Sequence, residues 1–193
     1  MASIGYFKDP NDKSNSWKHL CGGTIINRYI VLTAAHCFFS ANVDLEFLKN
    51  AQLLLNDASL NDESDGRASK IYNISFVLGY KEYDGYRPRY DIAAILTTRK
   101  INQHTFVDVI PSIRLHGLPN SGDFQENSYF IAGWGGKNTI STYLREATFA
   151  VFNEFKCQEV TIETANDDHT FEGINDLFFC AGHLVSNCYM FIR

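Results

Sequence analysis

The chain has 193 residues, of which 45% are hydrophobic, 14% aromatic and 20% charged, a composition that can bury a core and excludes disorder over the whole length. Seventeen Lys and Arg against 22 Asp and Glu give a formal charge of −5, so no positive field draws nucleic acid or an anionic membrane surface. No apolar run approaches the ~20 residues that cross a bilayer, and Met1-Ala2-Ser3-Ile4-Gly5-Tyr6 has neither the basic nor the apolar region of a secretory leader.

Short β-like runs separated by turn residues follow one another along the chain, the pattern of an all-β protein. Gly23-Thr24-Ile25-Ile26 and Tyr29-Ile30-Val31-Leu32-Thr33 flank Asn27-Arg28, which predicts a hairpin. A single helical turn is expected at Ala34-Ala35-His36-Cys37. The polar stretch from Asn56 to Gly66 lacks periodicity and reads as an exposed loop, a solvated surface being favoured over an acidic metal loop. Strands are expected at Ile74 to Leu78, Asp91 to Leu96, Ser128 to Ala132 and Glu146 to Phe152, where β-branched and aromatic residues favour extended backbone. Between them, Ile110 to Ser121, with Pro111, Gly117 and Pro119, reads as a connector between two β units. A second short helix is expected over Asn153 to Glu159, with Asn153 as its cap.

Five cysteines, Cys21, Cys37, Cys157, Cys180 and Cys188, form no zinc-like spacing with histidines. The hairpin between Cys21 and Cys37 can bring that pair within bridging distance. An odd count then implies a disulfide framework with one unpaired thiol, and with it an oxidising compartment, in conflict with the missing leader. Asn73-Ile74-Ser75 is a glycosylation sequon. The histidines His19, His104, His116, His169 and His183 are scattered without an H-x-x-x-H pair, so they read as surface or loop residues, and no metal site is expected.

Two residues stand out as candidates for chemistry. His36 closes an apolar strand, flanked by small residues and followed by a cysteine; taken alone, it reads as a structural histidine or as a catalyst. Asp91 leads into Ile92-Ala93-Ala94-Ile95-Leu96, a run apolar enough to be buried on both faces. A carboxylate there either caps the strand or is paired, and an imidazole is a suitable partner. Gly133-Trp134-Gly135-Gly136 by itself is a tight turn around a large ring.

In this order and spacing, Cys21-Gly22-Gly23-Thr24-Ile25-Ile26, Leu32-Thr33-Ala34-Ala35-His36-Cys37, Asp91-Ile92-Ala93-Ala94-Ile95-Leu96, Gly133-Trp134-Gly135 and Phe179-Cys180-Ala181-Gly182 resemble the chymotrypsin/trypsin-like serine protease family. The resemblance runs over nearly the whole chain. It implies an all-β fold of two antiparallel six-stranded barrels, the first over residues 1–110 and the second, incomplete, over 111–193. It makes His36 the general base, Asp91 its orienting carboxylate, and Cys21–Cys37 and Cys157–Cys180 disulfides. Ser186 matches the base of the primary specificity pocket, a weak hint of apolar or aromatic preference.

Family members place the nucleophile in a Gly-Asp-Ser-Gly-Gly-Pro segment shortly after the cysteine that Cys188 matches. Here Cys188 is followed by Tyr189-Met190-Phe191-Ile192-Arg193, and no Ile-Val-Gly-Gly activation site is present. The expectation is therefore a serine endopeptidase domain, inactive as this chain, with Cys188 as the unpaired thiol. The alternatives are a non-catalytic homologue that binds or regulates, and a chain without a stable fold. The resemblance also implies a protein or peptide substrate, protease-cascade or inhibitor partners, a monomeric state, no cofactor, and secretion.

Overall fold

The computed structural model describes residues 1–9, 17–61, 70–86, 89–102, 128–135, 140–152, 179–182 and 189–192. Six strands, β1 (Ala2–Phe7), β2 (Trp17–Ile25), β3 (Ile30–Thr33), β4 (Gln52–Leu55), β5 (Ile71–Gly79) and β6 (Ala93–Thr97), close into an antiparallel barrel in the order β1-β2-β3-β6-β5-β4. Closure leaves no strand edge in need of a partner.

The β2–β3 hairpin forms where Asn27 predicts it. Its Oδ1 accepts from the backbone N–H groups of Tyr29 (2.8 Å) and Ile30 (2.9 Å), a side chain standing in for a backbone turn.

Successive residues of a strand face opposite sides of the sheet, and here both sides are covered on β1 and β4. Ala2, Ile4 and Tyr6 join Leu53, Leu55, Val31, Tyr72 and Ile95 in the barrel interior. Phe7 and Leu54 join Trp17, Leu60 and Trp134 in a second cluster. All six residues of β1 are consequently buried.

Trp134 reaches that second cluster because residues Gly133–Arg145 pack with the barrel as part of the same compact unit. Backbone hydrogen bonds from Leu60 to Thr142 (2.7 Å) and from Leu144 to Ala58 (2.6 Å) fasten this segment to the stretch after β4. That stretch was expected to be exposed. Asp57, Ser59 and Leu60 are instead buried, since the 140–145 segment lies over them and Asp57 Oδ1 accepts from Ser59 N–H (3.0 Å).

A second correction concerns β6. The run was expected to be covered on both faces, yet Leu96 is 40% exposed and Ile92 44%, while Ala93, Ile95 and Thr97 point inward. On one side the ladder is open to solvent.

Two short helices follow β3. The first, α1 (His36–Phe39), is the expected turn shifted by two residues. The second, α2 (Leu45–Asn50), was not expected. Asp44 Oδ1 caps it by accepting from Glu46 N–H at 2.9 Å, and Phe47 anchors it against Phe38, ring centroids 5.2 Å apart.

A four-stranded sheet in the order β10-β9-β8-β7 is formed by β7 (Ser128–Gly133), β8 (Arg145–Phe152), β9 (Phe179–Gly182) and β10 (Tyr189–Ile192), with β9 antiparallel to both β8 and β10, and apart from Gly133 and Arg145 these residues lie in the second unit. The strand pattern implied an all-β chain, and one closed six-stranded barrel with a second, partial sheet is the architecture the family resemblance implied. The expected connector at 110–121 and helix at 153–159 lie outside the described residues.

Candidate active site

Thr33, the last residue of β3, and Ala93, the first of β6, are register partners in the ladder. The chain leaving β3 and the chain entering β6 therefore emerge side by side at one end of the barrel. His36 follows three residues after Thr33, and Asp91 precedes Ala93 by two. Topology alone brings together two side chains 55 positions apart in sequence.

Local chemistry then sets their geometry. Ala35, at the N-cap of α1, has helical dihedrals and no capping side chain, so the first amide donors need partners from elsewhere. Asp91 provides one: its Oδ1 accepts from the His36 backbone N–H at 2.7 Å, while its Oδ2 lies 2.7 Å from His36 Nδ1. An ionised carboxylate is acceptor-only, which assigns the proton to Nδ1 and leaves the Nε2 lone pair unprotonated. The histidine side chain is 56% exposed and the aspartate side chain 16%. The base is open to solvent while its orienting group is shielded.

The Cys21–Cys37 disulfide ties α1 to β2, and Thr33 Oγ1 donates to the Gly22 carbonyl (2.8 Å) across the same corner. His36 Nε2 lies 3.7 Å from Cys37 Sγ, so the disulfide flanks the ring. The sulfurs of Cys21 and Cys37 and a His36 ring nitrogen all lie within 4.8 Å, a grouping with metal-ligand spacing. With both sulfurs bound to each other, neither is a thiolate, the form that ligates a metal.

Asp91 is held from behind by a strained turn. Tyr90 adopts φ 59°, the left-handed region that costs a non-glycine residue roughly 1–2 kcal/mol. Its ring stacks on Tyr80 at 5.3 Å and 17°. Ile92 N–H donates to the Tyr90 carbonyl (2.8 Å), and Tyr80 N–H to the Ile92 carbonyl (3.0 Å). Burial pushes the Tyr83 phenol above its usual range, helped by the negative charges of Asp91 and Asp84. Beside this loop, the Phe39 ring lies on Gly79, where a Cβ would come within 2.7 Å of a ring carbon. Nothing in the sequence marked Tyr90 or Tyr80 as supports of the aspartate.

Of the other expected residues, Asn73 stands exposed on β5 and Cys180 lies in β9. Cys157, Cys188, Ser186, His104, His116, His169 and His183 lie outside the described residues. His19 is half-buried in β2, its Nδ1 2.7 Å from the Ser3 hydroxyl and its ring 5.4 Å from that of Trp134.

The Trypsin family model matches residues 6–189. Serine protease 28 of Mus musculus is 27% identical over 177 residues, covering 87% of this chain and 59% of its own length. Trypsin Blo t 3 of Blomia tropicalis is 30% identical over 172 residues, 86% of this chain and 57% of its own. Chymotrypsin-C of Bos taurus is 28% identical over 162 residues, 81% of this chain and 53% of its own. The chain thus spans between half and two thirds of the length of these curated relatives.

Proposed function

The chain belongs to the trypsin family, and from that premise we propose that His36 and Asp91 are the general base and orienting carboxylate of a serine endopeptidase acting on protein substrates. The observation that carries this reading is the double contact of Asp91 with His36, at 2.7 Å on both the backbone N–H and Nδ1.

In that role Nε2 takes the proton of a serine hydroxyl as it attacks the scissile carbonyl, then returns it to the leaving amine. Asp91 holds the productive tautomer and stabilises the imidazolium that forms in between. The nucleophile and the backbone donors for the oxyanion belong, by resemblance, to a Gly-Asp-Ser-Gly segment. The 193 residues contain no such segment. The polypeptide of these residues therefore supplies the proton-transfer half of the mechanism and performs no triad-dependent hydrolysis by itself. Ser186 contributes to the specificity pocket, Cys157 pairs with Cys180, and Cys188 is the thiol left over. The Cys21–Cys37 disulfide supports a secreted protein, and the protein works as a monomer that meets cascade or inhibitor partners.

The test compares the 193-residue polypeptide with a form extended at its start to a freed Ile-Val-Gly-Gly terminus and at its end through a Gly-Asp-Ser-Gly segment, using a fluorophosphonate probe and casein hydrolysis. The extended form is expected to label and hydrolyse, and to lose both with His36→Ala. Labelling of a serine in the 193-residue polypeptide would overturn the claim that it lacks a nucleophile. An extended form whose activity survives His36→Ala would overturn the assignment of the base.

A further inference from the structure

We propose that Asn73 carries an N-linked oligosaccharide. Asn73-Ile74-Ser75 is the only Asn-x-Ser/Thr triplet without proline in the sequence. In an extended strand, residues i and i+2 share a face, and here Asn73 and Ser75 are both exposed, with Tyr72 buried and Ile74 half-buried. The pairing of β5 with β6 passes from Ile74↔Thr97 directly to Phe76↔Leu96, so Ser75 is the extra residue of a bulge. Both groups of the sequon are thus solvent-facing.

The asparagine amide is also oriented for a substituent on nitrogen. Its Oδ1 accepts from Gln52 Nε2 at 2.7 Å, across the β4–β5 register pair Gln52↔Asn73. That fixes Oδ1 toward β4 and leaves Nδ2, the atom that becomes glycosylated, without a hydrogen bond to any described residue. Substitution at Nδ2 removes one of its two hydrogens and keeps the Gln52 contact, so the fold bears the glycan at no cost in hydrogen bonding.

The co-reactant is a lipid-diphosphate-linked oligosaccharide. The Nδ2–C1 bond forms, the C1–O bond to the diphosphate breaks, the diphosphate leaves, and the proton lost from Nδ2 passes to a base of the transferase. The Cys21–Cys37 disulfide points to the oxidising compartment in which that donor is available. This assignment stands apart from the roles of His36 and Asp91.

The experiment routes the full chain through the endoplasmic reticulum of a eukaryotic host and reads the Asn73 peptide by mass spectrometry before and after peptide N-glycosidase. Transfer occurs on the emerging chain, so the peptide is informative whether the protein is secreted or retained. One glycosidase-sensitive mobility step is expected, with conversion of Asn73 to Asp on release. Ser75→Ala, which leaves Asn73 and its Gln52 contact in place, is expected to abolish both. An unmodified Asn73 peptide in protein whose Cys21–Cys37 bond has formed would overturn the proposal, as would a mobility step that persists in Ser75→Ala.

Discussion

Asp91 holds His36 at two points 2.7 Å away, the backbone N–H and ring Nδ1, with a different carboxylate oxygen at each. A carboxamide of the same shape has one acceptor oxygen, so Asp91→Asn satisfies one donor and presents an NH₂ group to the other. In the folded 193-residue chain the mutant is expected to shift the neutral His36 ring from Nδ1–H toward Nε2–H. Nitrogen chemical shifts of the imidazole at pH above 7 read this directly, and an unchanged tautomer would remove Asp91 as the orienting group. In a catalytically complete form, the same change is expected to lower kcat about 10⁴-fold, the size of effect that follows loss of the orienting aspartate in such triads.

The Cys21–Cys37 bond joins residues 16 positions apart in sequence, across the β2–β3 turn, and delivers α1 to the site. In the loop-entropy picture a cross-link of that length stabilises the fold by about 3 kcal/mol. Replacing both cysteines by alanine is expected to cost about that much in urea unfolding, with a steeper dependence on urea concentration because the unlinked unfolded chain exposes more surface. A loss under ~0.5 kcal/mol would show that the neighbouring ladder, Thr24↔Leu32 and Ile25↔Val31, already orders the corner without the bond.

How much of this was readable beforehand follows from how local each signal is. The hairpin at Asn27, the strand before His36 and the strand after Asp91 each carried a turn residue or a β-branched run, and those elements position the site. β1 and β4 carried no alternation, because Ala2–Phe7 and Leu53–Leu55 are buried on both faces. Their pattern is set by the 133–145 segment and the barrel interior together, which no short window contains. Asp44 caps α2, but one and a half turns of helix leave little periodicity in the sequence to detect. The opposite error fell on the run entering β6, where Ile92 and Leu96 read as buried from hydrophobicity alone and stand exposed. The support of Asp91 by Tyr90 and Tyr80 depends on one backbone angle, and residue type does not disclose it.

His19 gives the fold a pH dependence on the acid side. Burial holds its imidazole below the usual histidine value of 6.5. The unfolded chain therefore takes up the proton first as pH falls, and unfolding is favoured in the window below about 6.5 and above the folded value. Stability contributed by this residue is complete above 6.5 and is lost as pH drops through the folded pKa. His19→Gln, which keeps a hydrogen-bonding group near the Ser3 hydroxyl, is expected to flatten that part of the curve. The readout is the difference in urea midpoint between the two proteins at pH 7.5 and pH 5.5. Parallel midpoints at both values would mean that the neutral ring is not what the folded state selects.

Tyr90 sets two effects against each other, and a pair of substitutions separates them. Its φ of 59° costs a side chain roughly 1–2 kcal/mol, while its stack on Tyr80 returns about 0.5–1.5 kcal/mol beyond simple burial. Tyr90→Ala loses the stack and keeps the strain. Tyr90→Gly loses the stack and relieves the strain, but adds up to ~1 kcal/mol of backbone entropy to the unfolded chain. Tyr90→Ala is therefore expected to be destabilised, and the glycine variant to be at least as stable as the alanine variant despite its more flexible unfolded state. The reverse order, with alanine more stable by 1 kcal/mol or so as glycine and alanine differ in ordinary backbone, would mean that residue 90 does not adopt the left-handed turn in solution. The carboxylate of Asp91 would then need another support to stay on His36.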